Sequence, residues 1–120
     1  MNKHKLRVND YLEHILHAIE RIERYTIGLD ESAFLENQLV QDAVIRNIEI
    51  LSEAANNIKK AHQEFTDKNS DIPWQALYAM RNRVSHGYFQ VDLKIVWKTI
   101  VIDLPRVRHQ VRTLVDDLTE

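Results

Sequence analysis

Residues that interrupt helices are scarce in this sequence and divide it into a few long segments. The 120 residues include two glycines, Gly28 and Gly87, and two prolines, Pro73 and Pro105. Glycine and proline are the strongest local signals for turns and helix ends. A chain with so few of them is expected to fold mainly as long helices that begin, end or bend near these positions.

The N-terminal half contains two segments in which apolar residues recur every three or four positions, which is typical of one helix face. The first predicted helix runs from about Asn9, a good N-cap residue, to Gly28, a residue that suits a helix end. Its apolar face consists of Leu12, Ile15, Leu16, Ile19 and Ile22. A second helical region is predicted from Ser32, as N-cap, to about His62, with a break near Asn37. Its apolar face consists of Val40, Ala43, Val44, Ile48, Leu51, Ala55 and Ile58.

The C-terminal half begins with a polar, unpatterned stretch, residues 63–71, which is predicted to be the longest loop. Pro73 suits the first position of a third helix, which Gly87 should end. The apolar side of this helix consists of Trp74, Leu77, Tyr78 and Val84. Asp92 is expected to cap the last helix, whose apolar face continues in phase across Pro105, so that a kink is expected there and not an end. That face consists of Val96, Ile100, Leu104, Val107, Val111, Leu114 and Leu118.

The fold expected from these segments is all-α. Four long amphipathic helices joined by short connections predict an antiparallel, up-down four-helix bundle, with a short extra helix and a kinked C-terminal helix. The length of 120 residues fits one domain, 1–120, and the composition of 44% hydrophobic and 28% charged residues is that of an ordinary globular protein.

The bulk composition excludes several classes of protein. Without cysteine, the chain can form neither a disulfide framework nor a thiolate metal site or nucleophile. No segment approaches the roughly 18 apolar residues of a membrane span, and no apolar signal segment follows the basic N-terminus. We therefore expect a cytoplasmic protein without a membrane partner.

The net charge of −2 argues against a general nucleic-acid coat protein, and we expect no DNA partner. Basic residues are dense between Arg81 and Arg112, which we interpret as solvated helix faces.

No pattern in the sequence predicts a metal or cofactor. Metal sites in helical bundles use Glu-x-x-His pairs, and no histidine in this chain has a glutamate three residues before it. His14 and His17 share a helix face but are interpreted as surface residues, as are His62 and His109. The chain also lacks a glycine-rich phosphate loop and the Gly-x-Ser-x-Gly pattern of serine hydrolases.

One segment concentrates reactive side chains near the predicted end of the third helix. It reads Arg81-Asn82-Arg83-Val84-Ser85-His86-Gly87-Tyr88. Asn82 and His86 are four residues apart and face the same side of a helix, so the amide can orient the imidazole. Arg81 is five residues before His86, or roughly 140° away around an ideal helix. Either the helix end distorts, or the pair acts together with a second copy of the chain.

This set of side chains suits cleavage of an RNA phosphodiester without a metal ion. Histidine titrates near neutral pH, so His86 can move the proton of a ribose 2′-OH or of the leaving 5′-oxygen. Arg81 can hold a phosphate by two parallel hydrogen bonds and stabilise its developing charge. The spacing alone leaves another interpretation open, in which Arg81 and Arg83 form surface ion pairs and His86 only ends a helix.

The same residues resemble the HEPN superfamily, and specifically its HepT-like toxins. The signature of that group is arginine, four residues, histidine, one residue and tyrosine, which residues 81–88 match throughout. Other segments resemble the group's recurring segments in the expected order: Asp42-Ala43-Val44, Ser52-Glu53-Ala54-Ala55, Ile72-Pro73-Trp74, Val96-Trp97 and Asp103-Leu104-Pro105.

The resemblance implies a specific biological role. It implies a homodimer in which Arg81 and His86 of both chains line a shared cleft, and a metal-independent RNase that is the toxin of a HEPN/MNT toxin–antitoxin pair. It also implies a cognate MntA-like nucleotidyltransferase as antitoxin, which transfers AMP from ATP to Tyr88. AMP would place bulk and negative charge two residues from His86. The alternative function is a non-catalytic helical dimer that binds a nucleotide or a partner protein and regulates it.

Overall fold

The computed structural model describes residues 7–84 and 92–119, and within these ranges the chain forms helices and no strands. The elements are α1 (Val8–Thr26), α2 (Glu31–Leu35), α3 (Gln38–Ala61), α4 (Gln63–Lys68), α5 (Trp74–Val84), α6 (Leu93–Lys98), a π-helical turn (Thr99–Asp103) and α7 (Leu104–Thr119). The predicted all-α class is confirmed.

Side-chain pairs between α1 and α3 show that these helices run antiparallel. Near one end, the ring of Tyr11 lies 6.4 Å from the ring of His62, centroid to centroid. Near the other, Nη1 of Arg21 donates a hydrogen bond to Oδ1 of Asn47 at 3.1 Å. Since the residue numbers rise along one helix as they fall along the other, the two helices point in opposite directions.

The other long helices also pack antiparallel to their neighbours. Arg112 and Arg108 of α7 form ion pairs with Glu20 and Glu23 of α1, at 2.8 and 3.2 Å respectively. Between α3 and α5, the hydroxyl of Ser52 donates to the carbonyl oxygen of Leu77 at 2.8 Å, and Lys59 bonds to Gln75. These contacts confirm the predicted bundle, in which α3 lies between α1 and α5 and α7 covers α1.

The core lies along the shared axis of the long helices, and short helices extend it at both ends. Its largest fully buried side chains are Phe34, Leu12, Ile15, Leu16, Ile19, Ile22, Ile48, Leu51, Ile58, Ile72, Leu77 and Leu104. Phe34 of α2 packs against Trp97 of α6, with 5.3 Å between the ring centroids. At the other end, Phe65 of α4 lies 6.2 Å from Trp74 of α5. The short helices therefore contribute core side chains and are more than connections.

Three helix boundaries follow the sequence signals. Gly28 has a φ of +78°, and the amide of Leu29 bonds to the carbonyl of Thr26 at 3.0 Å, so α1 ends in a type II turn that requires a residue tolerant of positive φ. Asn37 caps α3, because its Oδ1 accepts from the amide of Val40 at 3.0 Å. The carboxylate of Asp92 caps α6 by accepting from two backbone amides. The break near Asn37, the helix end at Gly28 and the cap at Asp92 are confirmed, whereas the cap role of Asn37 was not predicted.

Two predicted N-caps are wrong. Asn9 lies inside α1, which begins at Val8 because this residue packs against the core and extends the helix toward the N-terminus. Ser32 lies inside α2, and Asp30 is the N-cap, since its carboxylate accepts from the amide of Ala33 at 2.8 Å. An earlier start of α2 places Phe34 in the core.

The predicted loop at residues 63–71 is also wrong in its first part, which forms α4. Its polar residues show no apolar periodicity, but Phe65 packs against the core and Thr66 is buried with its hydroxyl bonded to the carbonyl of Gln63. A contact with α5 therefore stabilises a helix that local propensity does not predict. Pro73 directly precedes α5 and is not its first residue, and its carbonyl accepts from the amide of Leu77 at 2.9 Å.

Two apolar residues assigned to buried faces are exposed. Tyr78 is 37% exposed and Leu118 is 48% exposed, whereas Met80 and Val115 are buried in their place. In α5, a spacing of three residues from Trp74 through Leu77 to Met80 turns Tyr78 away from the core. The side chain of Val84 and the position of Gly87 lie outside the described residues, so these two predictions are not tested.

The C-terminal helix continues through Pro105, as predicted. The π-helical turn directly before it, Thr99–Asp103, ends where the amide of Leu104 bonds to the carbonyl of Thr99, five residues earlier. Proline has no amide hydrogen to donate, and a π-type turn rearranges the backbone hydrogen bonds at this point. The change in hydrogen-bond spacing accommodates Pro105, and the helix does not end there.

Among the described residues, none of the helices is both long and apolar enough to cross a membrane.

The position of the α2 cap generates a stability prediction. Replacing Asp30 by alanine should lower the free energy of unfolding by about 1 kcal/mol, because the amide of Ala33 loses its acceptor. The matched variant Ser32→Ala removes an equally good capping side chain from an exposed position inside the helix, and should change stability by less than about 0.5 kcal/mol. Urea denaturation followed by circular dichroism measures both. A larger loss in Ser32→Ala than in Asp30→Ala would contradict the observed boundary.

Candidate functional site

The segment that concentrates reactive side chains begins in the last described turn of α5. Arg81 and Asn82 are both exposed, and α5 is described as far as Val84. Ser85, His86, Gly87 and Tyr88 lie outside the described residues, as do the side chains of Arg83 and Val84. The predicted pairing of Asn82 with His86, and the placement of His86 relative to Arg81, therefore stay predictions.

The position of Arg81 is fixed by the residues that precede it in α5. Trp74, Leu77 and Met80 are buried and hold this helix against the core. The hydrogen bond from Ser52 to the Leu77 carbonyl ties the same turn of α5 to α3. Met80 is buried and directly precedes Arg81, so the core packing of α5 extends up to the position of Arg81.

Arg81 lies at a groove formed by α1, α3 and α5. The groove has a volume of about 440 Å³. We call it the Arg81 groove, and its lining residues are His14, Arg46, Glu49, Ile50, Glu53, Ala54, Asn57 and Arg81. The structure thus places the predicted arginine at an open concave surface and not in a purely convex part of α5.

The Arg81 groove combines an apolar floor with charged rims. Ala54 is buried and Ile50 is half-buried, so the floor consists of uncharged side chains. On the α3 rim, Arg46 and Glu49 approach to 3.8 Å with 73% and 41% of their side chains exposed, which makes a weak, solvent-screened pair. Glu53 is exposed one turn further along the same rim.

Sequence reasoning missed most of this groove. The segment Ser52-Glu53-Ala54-Ala55 contributes to the sequence-based predictions only through its family resemblance, and Asn57 does not contribute to them. A signal was present, because Arg46, Ile50, Glu53 and Asn57 follow the three- and four-residue spacing of one helix face. This face is polar at three of its four positions, so apolar periodicity does not detect it.

Histidines elsewhere in the described chain do not form a metal centre. His14 and His17 are exposed, as expected, and His14 belongs to the rim of the Arg81 groove. Within residues 7–84 and 92–119, no group of three or more histidine, aspartate or glutamate side chains is arranged to hold a metal ion.

The basic residues toward the C-terminus are partly neutralised. The ion pairs of Arg108 with Glu23 and of Arg112 with Glu20 remove two of the cations from any continuous basic surface. Both pairs are exposed to solvent, in line with the interpretation of solvated helix faces.

Comparison with known proteins identifies relatives over nearly the whole chain. Residues 15–114 match the family described as "Ribonuclease HepT-like". The chain is 40% identical over 111 residues to the "Gamma-glutamylcyclotransferase and putative RNase" of Methanocaldococcus jannaschii, and the match covers 92% of this chain but 49% of that protein. It is 39% identical over 105 residues to the "Probable ribonuclease HepT" of Thermococcus cleftensis, covering 88% of this chain and 93% of the relative.

A third relative is similar in length. The "Putative RNase" of Caldanaerobacter subterraneus is 35% identical over 104 residues, which cover 87% of this chain and 90% of the relative. No solved structure matches the chain. Since the family match extends over most of both the sequence and the described bundle, the chain belongs to the HepT-like ribonuclease family.

Proposed function

We propose that this protein is a ribonuclease that cleaves RNA phosphodiester bonds without a metal ion, and that it is the toxin of a HEPN/MNT toxin–antitoxin pair. The observation that carries the proposal is the exposed Arg81 at the rim of an open groove, in a chain whose relatives are named as ribonucleases. An exposed guanidinium that lines an open groove can bind a phosphate that enters it.

In the proposed reaction, the ribose 2′-oxygen attacks the adjacent phosphorus. The 2′-OH proton leaves and the bond from phosphorus to the 5′-oxygen breaks, so the products are a 2′,3′-cyclic phosphate and a 5′-hydroxyl. His86 moves a proton at one of these two oxygens, and Arg81 offsets the charge that accumulates on the phosphate. Asn82 orients the imidazole through the spacing of four residues.

A homodimer completes the site in this proposal. On an ideal helix, Arg81 and His86 are roughly 140° apart, so they do not present to one point from the same helix. If two copies meet across a two-fold axis, Arg81 of one copy and His86 of the other can face the same phosphate. The exposure of Arg81 supports this arrangement, because an exposed side chain is accessible to a second copy of the chain.

Control of the toxin is proposed to occur at Tyr88. An MntA-like nucleotidyltransferase would transfer AMP from ATP to its hydroxyl, forming a phosphodiester and releasing pyrophosphate. The added phosphate repels an RNA backbone, and the added nucleoside occupies space two residues from His86. Glycine tolerates backbone conformations that other residues avoid, so Gly87 would allow a tight turn between His86 and Tyr88.

The cleavage proposal is tested with single-residue variants in the presence of a metal chelator. The parent protein should degrade RNA and leave 2′,3′-cyclic phosphate ends, whereas His86→Ala and Arg81→Ala should each lower the rate by about a hundredfold or more, because each removes a group that acts on the reacting atoms. The matched variants His109→Ala and Arg106→Ala, both exposed on α7, should retain the parent rate. Equal cleavage by the parent, His86→Ala and Arg81→Ala would make the catalytic assignment wrong.

Folding is controlled in the same experiment. Arg81→Ala should change the free energy of unfolding by less than about 1 kcal/mol, because its side chain is exposed. The neighbouring Met80→Ala, which leaves a cavity at a buried position, should lower the free energy of unfolding by about 2 kcal/mol or more.

The alternative function is a non-catalytic dimer that binds a nucleotide or a partner protein. A parent protein that binds the nucleotidyltransferase tightly but neither cleaves RNA nor arrests growth would favour this alternative.

The modification proposal is tested by mass spectrometry after incubation with the nucleotidyltransferase and ATP. AMP-sized additions should map to Tyr88 and disappear in Tyr88→Phe, because phenylalanine lacks the accepting hydroxyl. Tyr25→Phe and Tyr78→Phe are matched controls, since each of these side chains is 37% exposed, and both should be modified like the parent. AMP additions that persist in Tyr88→Phe would show that another residue is modified.

A further inference from the structure

The carboxylates on the α3 rim bear on how RNA can lie in the Arg81 groove. Glu49 and Glu53 occupy successive turns, and of the two, Glu49 has Arg46 beside it at 3.8 Å. A ribose–phosphate backbone that ran along this rim would bring like charges together. The groove therefore favours an uncharged part of the substrate, with the phosphate held by Arg81.

The rest of the groove fits a nucleobase. Ile50 and Ala54 provide an apolar floor for the flat face of a base, and the imidazole of His14, from α1, lies on the same groove and can stack on it. The volume of about 440 Å³ is within the range of small-molecule sites. A base seated here would belong to a nucleotide whose phosphate reaches Arg81.

Two polar side chains of α3 are positioned to recognise the edge of that base. Glu53 and Asn57 are four residues apart on one helix face and line the groove together. An ionised carboxylate only accepts hydrogen bonds, whereas an amide both donates and accepts. Glu53 therefore selects for amino and ring N–H donors, and Asn57 complements a donor or an acceptor beside them.

We propose that the Arg81 groove holds the base next to the cleaved phosphodiester, and that Glu53, with Asn57, selects bases that carry an exocyclic amino group over uracil. This inference rests on the proposed ribonuclease function and names the specificity of the same site. Cytosine, adenine and guanine each offer an amino group to a carboxylate. Uracil offers a single N–H between two carbonyl oxygens, and these oxygens would face the carboxylate unfavourably.

The first test sequences the cut ends from a random-sequence RNA pool. The parent should disfavour uracil by about tenfold on one side of the cut, which corresponds to one good base contact. Glu53→Gln replaces the acceptor by a group that can also donate to uracil, and should reduce this bias while cleavage continues. Glu64→Gln, an exposed carboxylate on α4 outside the groove, should keep the parent bias. An unchanged base distribution in both Glu53→Gln and Asn57→Ala would overturn the proposal.

The second test does not require cleavage and so separates this inference from the proposed activity. Fluorescence anisotropy with labelled pentaribonucleotides that differ only at the central base measures binding to the His86→Ala protein. Cytosine or adenine should bind about tenfold more tightly than uracil, and the preference should be lost in the His86→Ala, Glu53→Gln double variant. Equal binding of all bases, or no binding, would overturn the base site. A change of oligomeric state in Glu53→Gln, seen by sedimentation, would instead assign the groove to a protein contact and also overturn it.

Discussion

The packing of α3 between α1 and α5 is the constraint on which the rest of this structure depends. Val44, Ile48, Leu51, Ala55 and Ile58 are completely buried along this helix, so its orientation in the bundle is determined by apolar burial over its full length. Deleting any one of these side chains would leave a cavity. Because α3 contacts both α1 and α5, it also sets how far apart His14 and Arg81 lie. The Arg81 groove is thus a consequence of core packing.

Elements whose signals are local could be predicted from the sequence. A capping side chain bonds an amide two or three residues ahead, so the cap at Asp92 and the break near Asn37 could be recognised from a few residues of context. The turn at Gly28 is equally local, since one residue must have a positive φ. The long apolar stripes of α1, α3 and the C-terminal helix are repeated over many turns, which made their existence predictable even where their ends were not.

The features of the fold and of the site that the sequence does not predict depend on contacts between distant parts of the chain. Asp30 and Ser32 are comparable capping residues, so local preference does not distinguish them; the helix that Asp30 caps carries Phe34, which packs against Trp97. Similarly, α4 forms where residues 63–68 are polar, because Phe65 reaches Trp74. For the site, the sequence pointed to Arg81, but the groove beside it draws on three helices. The groove could not be predicted from one segment alone, although the spacing of four residues between Glu53 and Asn57 indicates a shared helix face.

The carboxylates beside Arg81 have an electrostatic consequence for any anionic ligand. Glu49 and Glu53 line the same groove as Arg81, and their negative charges repel a phosphate that approaches it. One bundle therefore offers limited net attraction to an RNA strand. A second copy that brings another Arg81 to the same cleft would supply the missing positive charge, while the glutamates would confine the backbone to that cleft and leave the groove to the base.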